Sequence, residues 1–279
     1  MSRHRAPSPV TRRGALVAGA AWVAGALAAT SGAGLRLPSS TAPQAEALMA
    51  ARLPSSAPSA ASPAAPSPAP STPAASTPAP TPTFDRSAHS TTDATSPWVV
   101  VNKTHPITPA DYAPAQLTKV AGEVVSAAAA PDLEALLARS RDDGVSLTLV
   151  SGFRSRDYQE DVHRRSVSRN GQAGADRYSA RAGYSEHQTG LAVDFSSVAG
   201  NATLSPSFGQ TDEGLWLAEH AGRHGWLLRY TEADQAVTGY NPEPWHFRWV
   251  GVELVAAMTA AGAATLEEFF GVTGGPDYA

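Results

Sequence analysis

Ser185-Glu186-His187-Gln188-Thr189-Gly190-Leu191-Ala192-Val193-Asp194 is the stretch from which the fold and the chemistry can both be read. From Gly190 to Phe195 the chain alternates, with Leu191, Val193 and Phe195 on one face of a strand and Gly190, Ala192 and Asp194 on the other. The first face reads as core. The second carries almost no bulk before Asp194, so another group can approach the backbone closely there. His187 precedes the strand in a turn-like run of small polar residues. A loop histidine feeding into a strand carboxylate brings two ligands to a metal from different directions. Taken alone, the pair reads more readily as a surface histidine and a strand-end aspartate than as a metal site.

A second stretch, Asn241-Pro242-Glu243-Pro244-Trp245-His246-Phe247-Arg248-Trp249-Val250, changes that balance. The two prolines keep Glu243 out of a helix interior and hold it extended. After them the alternation puts Trp245, Phe247 and Trp249 on one side of a strand and His246, Arg248 and Val250 on the other. His187, Asp194 and His246 then offer three ligands, and Glu243 an unligated carboxylate. Catalytic zinc sites use three protein ligands and leave a fourth position for water. A free carboxylate can take the proton from that water.

These residues resemble the zinc D-alanyl-D-alanine carboxypeptidases of the VanY type. S-E-H-Q-T-G-L-A-V-D and E-P-W-H-F-R carry the resemblance, together with Val101-Asn102-Lys103-Thr104-His105-Pro106, Ser151-Gly152-Phe153-Arg154-Ser155 with Gln159 beyond it, and Thr238-Gly239-Tyr240. It runs on to Leu266-Glu267-Glu268-Phe269 and departs at no metal or base position. The resemblance implies one Zn2+ per chain on His187, Asp194 and His246, with Glu243 as general base. It implies removal of the terminal D-Ala from peptidoglycan stem peptides ending in D-Ala-D-Ala. Arg154 would supply positive charge to the substrate carbonyl or terminal carboxylate, and Ser185 and Gln159 would hydrogen-bond substrate. A zinc endopeptidase cutting within the wall peptide, of the L-Ala-D-Glu type, stays open because related sites share the same ligands. A non-catalytic wall-binding module is opposed by Glu243, since a closed structural site has no use for a base. A serine route through S-x-x-K is closed: the only lysines are Lys103 and Lys119, with Val100 and Gln116 three positions before them.

Composition bounds the rest. The chain has 279 residues, room for one or two domains, and no cysteine, which excludes thiol nucleophiles, thiolate metal sites and a lipoprotein anchor. Residues 1–97 carry seven Arg/Lys against three Asp/Glu, whereas residues 98–279 carry 14 against 22. A folded part with that acidic excess excludes nucleic acid as a partner, and a monomer is expected. Residues 1–30 read as a signal peptide or signal anchor: Arg3, Arg5, Arg12 and Arg13 precede an apolar run from Gly14 to Ala29, and Ala26-Leu27-Ala28 offers a cleavage site. Thr11-Arg12-Arg13 hints at twin-arginine export. An uncleaved anchor would be the sole membrane contact, and either reading places the remainder outside the cytoplasm, secreted or associated with the cell envelope. Residues 31–97 read as a Pro/Ala/Ser/Thr-rich disordered linker with too little apolar bulk to offset its ordering entropy. Residues 98–279 are the expected zinc peptidase domain.

Within that domain Pro131 opens a helix with a Leu133, Leu136, Leu137 stripe, ended by Gly144. Val145, Leu147 and Leu149 alternate as a strand running into Ser151-Gly152-Phe153-Arg154. Ser155 can cap the next helix, acidic at its start and ending around Arg164 and Arg165. A helix is expected from Asp212 to His224, a short strand from Trp226 to Tyr230, an Ala-rich helix from Val250 to Ala261, and a capping box at Thr265 and Glu268. His220 and His224 have zinc-helix spacing, but Ala221-Gly222-Arg223 between them lacks the glutamate that chemistry needs. They read as surface histidines, as do His105 and His163. The hairpin implied by Trp226 to Trp249 argues for antiparallel pairing. The expected fold is α+β, a small, mainly antiparallel sheet with helices packed on one side, a zinc site in a cleft along the sheet, and a disordered stem before it.

Overall fold

The computed structural model describes residues 84–278. The signal reading of residues 1–30 and the linker reading up to residue 83 lie outside the described residues. Strands β1 (Leu117–Val120) and β2 (Glu123–Ser126) form a hairpin. Helix α1 (Ala130–Asp142) follows, with Pro131 in its first turn, and β3 (Leu147–Ser151) leaves it. Strands β4 (Ala192–Ser197), β5 (Trp226–Leu228) and β6 (His246–Trp249) join β3 in a sheet of order β3-β4-β6-β5, each neighbouring pair antiparallel.

The alternation read from the sequence sorts the two faces of this sheet. Val193, Phe195 and Phe247 are buried against Leu133 and Leu136 of α1 and Leu217 of α3 (Asp212–His220). Each such fully buried side chain contributes roughly 1.5–3 kcal/mol, so this face holds the sheet together. Asp194, His246 and Arg248 occupy the opposite face and are buried as well. The register places Asp194 directly across from His246 and Ala192 across from Arg248, within side-chain reach of one another.

Helix α2 (Arg156–Tyr178) starts as anticipated, with the Ser155 hydroxyl accepting from the Tyr158 amide at 3.2 Å. It does not stop near Arg165. Gly171, at φ 69 and ψ 170, kinks it, a conformation that a β-carbon disfavours. A second helical piece then carries the chain to Tyr178. The returning chain is held by Gln159 and His163, which bond the Ser179–Ala180 segment. The helix expected over 212–224 is α3 followed by a tighter turn, Ala221–His224, which ends at Gly225. A short helix, α4 (Gln235–Thr238), leads back towards β6. Beyond it α5 (Val252–Ala261) and α6 (Leu266–Phe270) close the domain, α6 with the full Thr265–Glu268 capping box.

The domain begins earlier than Trp98. Phe84 packs 5.2 Å from the Trp98 ring and 5.8 Å from Phe269, and Arg86 donates to the Phe269 carbonyl at 2.7 Å. Ala94 and Ser96 are buried. The segment from Phe84 to Pro97, read as linker from its composition, is therefore a packed arm. No helix among the described residues is long and apolar enough to cross a membrane.

Candidate active site

His187, Asp194 and His246 meet on the polar face of the sheet. One ligand atom from each lies within 4.8 Å of the others, and all three residues are buried. Local structure explains the convergence. His187 sits in a 3-10 turn, Glu186–Thr189, closed by Gly190 in the left-handed region, which throws the histidine back over the start of β4. Asp194 and His246 are cross-strand neighbours.

Hydrogen bonds from the outside aim each imidazole. The His187 Nδ1 lies 2.7 Å from the Gly152 carbonyl, which can only accept, so Nδ1 carries the proton and Nε2 turns its lone pair inward. A β-carbon on Gly152 would collide with the Val124 carbonyl, so only glycine brings that acceptor so close. The His246 Nε2 lies 3.0 Å from Glu186 Oε2, leaving Nδ1 to face Asp194 Oδ1 at 3.0 Å. Two imidazole nitrogens and a carboxylate oxygen, all aimed at one point and all braced from behind, fit a zinc ion.

Charge is concentrated around this point. Burial and the neighbouring Arg154 hold His187 down to about 4. Burial alone would lower His246, but its hydrogen bonds to Asp194 and Glu186 push it up to about 9. Burial would raise Asp194, yet His187 and Arg154 hold it well below the usual carboxylate range. Glu243 lines the same cleft beside His246, and burial pushes it up to about 8. Its neutral form is favoured there until a nearby cation draws it back, an environment suited to a group that must take and return a proton.

Arg154 reaches the cluster from the turn before α2. Its Nε donates to Ser151 Oγ at 2.8 Å and its Nη1 to Gln159 Oε1 at 3.0 Å. Its Nη2 donates to Asp194 Oδ2 at 2.6 Å and to His187 Nε2 at 2.8 Å. Ser185 is buried on the cleft wall. Gln159, expected from sequence to hydrogen-bond substrate, lies behind Arg154. It is fully buried and off the cleft, its Oε1 accepts from Arg154 at 3.0 Å and its amide nitrogen is taken by the Ala180 carbonyl at 2.7 Å. His220 stacks on Trp216 and His163 bonds Ser179, apart from this site.

The sequence reading missed what lies beneath. Glu186 is buried under His246, where it also accepts from Arg229 Nε at 2.9 Å and lies 3.4 Å from Arg248 Nη1. Arg229 in turn donates to Glu267 of α6 at 2.7 Å. Burial would raise Glu186, but Arg229, His246 and Arg248 hold it far below the usual carboxylate range. Tyr230 stacks on the His246 ring at 4.8 Å and also lines the cleft. The alternation that put Arg248 beside His246 was the one local signal for this cluster.

A family model described as VanY, D-alanyl-D-alanine carboxypeptidase, matches residues 122–252. A curated D-alanyl-D-alanine carboxypeptidase of Enterococcus faecalis is 32% identical over 181 residues, 61% of this chain and 64% of that protein. The chain thus spans somewhat less than two thirds of that relative's length. A solved D,D-pentapeptidase VanY from a VanB-type resistance cassette, in complex with Zn(II), superposes with a TM-score of 0.54 at 31% identity, covering 61% of this chain and 97% of that one. An L,D-carboxypeptidase, DacB from Streptococcus pneumoniae, superposes with the same TM-score of 0.54 at 36% identity over 64% of this chain and 89% of that one. With the ligand cluster, the braced histidines and the antiparallel sheet in place, the chain belongs to the VanY D-alanyl-D-alanine carboxypeptidase family.

Proposed function

We propose that this protein is a zinc D,D-carboxypeptidase that removes the terminal D-Ala from peptidoglycan stem peptides ending in D-Ala-D-Ala, and that it acts outside the cytoplasm. The observation that carries the proposal is the convergence of His187, Asp194 and His246 in one cleft with the unligated Glu243 and the fixed cation Arg154. His187, Asp194 and His246 would hold the zinc, which would supply a Lewis acid for the scissile carbonyl and lower the pKa of the attacking water toward about 7. Glu243 takes the proton from that water and returns it to the amine of the departing D-Ala. Arg154 has Nε and Nη1 held by Ser151 and Gln159, so Nη2, which bonds Asp194 and His187, is the end turned to the cluster and the one that would exchange those contacts for the substrate carbonyl or its free carboxylate. Ser185 offers a hydroxyl on the same wall.

A second reading has one specific support. The solved relative with the 36% identity is named an L,D-carboxypeptidase. That activity also releases a terminal D-Ala, but from a shorter stem in which an L-configured centre precedes it. Mass spectrometry of digested pentapeptide and tetrapeptide stems tests both. Loss of one alanine from the pentapeptide alone supports the D,D reading. Loss from the tetrapeptide alone replaces it with the L,D reading, and an internal cut would overturn the carboxypeptidase assignment.

A further inference from the structure

We infer that the cleft continues past the catalytic groups into a carboxylate-binding subsite centred on Arg169, which reads an acidic group of the stem peptide upstream of the scissile bond. This rests on the carboxypeptidase reading above and deepens it. The same cleft that holds Glu243, His246 and Arg154 is walled by Val162, Ser166 and Arg169. These positions recur every three to four residues and so share one face of α2. Gln159, beside Arg154, and Arg169 are about ten helical residues apart, roughly 15 Å at 1.5 Å per residue. An extended peptide covers that distance in about four to five residues at roughly 3.3–3.6 Å each, and the reach of the arginine side chain shortens it. A stem seated with its terminal carboxylate near Arg154 therefore passes Arg169 with its second or third residue.

The charges around Arg169 make it a receptor. Arg154 pairs with Asp194, Arg156 with Asp157, Arg164 with Asp161 and Arg181 with Asp176, while Arg165 and Arg177 of α2 have no such partner among the described residues but do not line this cleft. Arg169 makes no ion pair among the described residues and stays exposed on the cleft wall. The walls here are also apolar in a way that water does not favour. Tyr178 and Leu204 are among the large apolar side chains left exposed, at 52% and 50%, and both line this cleft, one from α2 and one from the loop after β4. The Gly171 kink brings Tyr178 back to the cleft that Arg169 lines. A cation sharing a cleft with two exposed apolar side chains suits a peptide that carries one anionic group among small aliphatic residues.

A stem peptide can present that anion in two ways: as the α-carboxylate of a γ-linked D-glutamate at its second residue, or as the second carboxylate of meso-diaminopimelate at its third. Four pentapeptides separate them, pairing D-glutamate or D-isoglutamine at the second residue with L-lysine or meso-diaminopimelate at the third. The zinc-loaded unmutated protein is expected to favour the peptide bearing the recognised carboxylate by about tenfold in kcat/KM, chiefly through KM, because the contact is remote from the bond broken. Arg169→Ala should bring that ratio close to one, and Arg169→Glu should invert it. The ratio is immune to general damage, which would slow all four peptides alike. A ratio near one in the unmutated protein, or a ratio that survives Arg169→Ala, overturns the subsite. If none of the four is cleaved, the carboxypeptidase reading fails. Calorimetric binding of the same peptides to the zinc-loaded protein then decides the subsite by the same ratio.

Discussion

Glu186→Gln tests whether the buried carboxylate beneath His246 governs the metal. Glu186 has no exposed side-chain surface, accepts from Arg229 at 2.9 Å and lies 3.0 Å from His246 Nε2. Glutamine keeps the shape but removes the charge that holds the imidazole proton on Nε2. Loss of such a partner lowers metal affinity by about 10- to 100-fold, equivalent to roughly 1.4–2.8 kcal/mol. Folding should suffer too, because Arg229 keeps only Glu267 and Arg248 is left with backbone carbonyls alone; breaking a buried pair on one side costs about 3–5 kcal/mol. Competition with a chromophoric chelator on folded protein at neutral pH measures the first effect, and thermal unfolding the second. The two effects separate by pH. Glu186 is held below its ordinary value in the folded state, so its contribution is fully present above about pH 4.5 and fades as pH falls further. The stability gap between the two proteins should therefore narrow in acid. Zinc affinity within twofold of the unmutated protein, alongside a clear loss of stability, would refute the reasoning and leave Glu186 a purely structural residue.

Glu243→Gln should retain zinc, measured as metal content after gel filtration, and lose about 100- to 10,000-fold in kcat; metal lost in step with activity would make Glu243 a ligand. Arg154→Ala should remove most of the preference for a stem ending in a free carboxylate over one ending in an amide, a contact of about 2–4 kcal/mol and so roughly 30- to 1,000-fold in rate. Equal slowing of both peptides would confine Arg154 to the scissile carbonyl. Removing residues up to 97 should lower the midpoint of thermal unfolding relative to a chain starting at residue 84, because Phe84 and Arg86 pack on Trp98 and Phe269; coincident melting curves would show that the arm contributes nothing.

What the sequence made legible was local or periodic. The alternation through Leu191, Val193 and Phe195 separated core from site, and the same rule placed His246 on the site face of β6. Ser155 and Thr265 announced their helices because a cap is decided within four residues. The unread parts depend on partners far along the chain. Glu186 looks like one more polar residue in a turn until Arg229 and Arg248, some 40 and 60 positions later, bury it. Gln159 looked available to substrate because nothing nearby shows that Ala180 takes its amide. Phe84 was hidden in a run of proline and serine, though a single aromatic ring against Trp98 is enough to order a segment. The polar second half of α2 gave no apolar period to follow, since its return is fixed by side-chain bonds to Ser179 and Ala180.

The contact between Arg229 and Glu267 also ties α6 to the site. Without Glu267, Arg229 and Arg248 would share a single carboxylate, Glu186, which is also the one bracing His246. A chain lacking α6 would keep His187, Asp194, His246, Glu243 and Arg154, yet the carboxylate behind its second histidine would face an Arg229 that has lost its other partner. Damage to α6 would therefore be felt at the second histidine through one line of charges, from Glu267 to Arg229 to Glu186, without touching any of the proposed ligands.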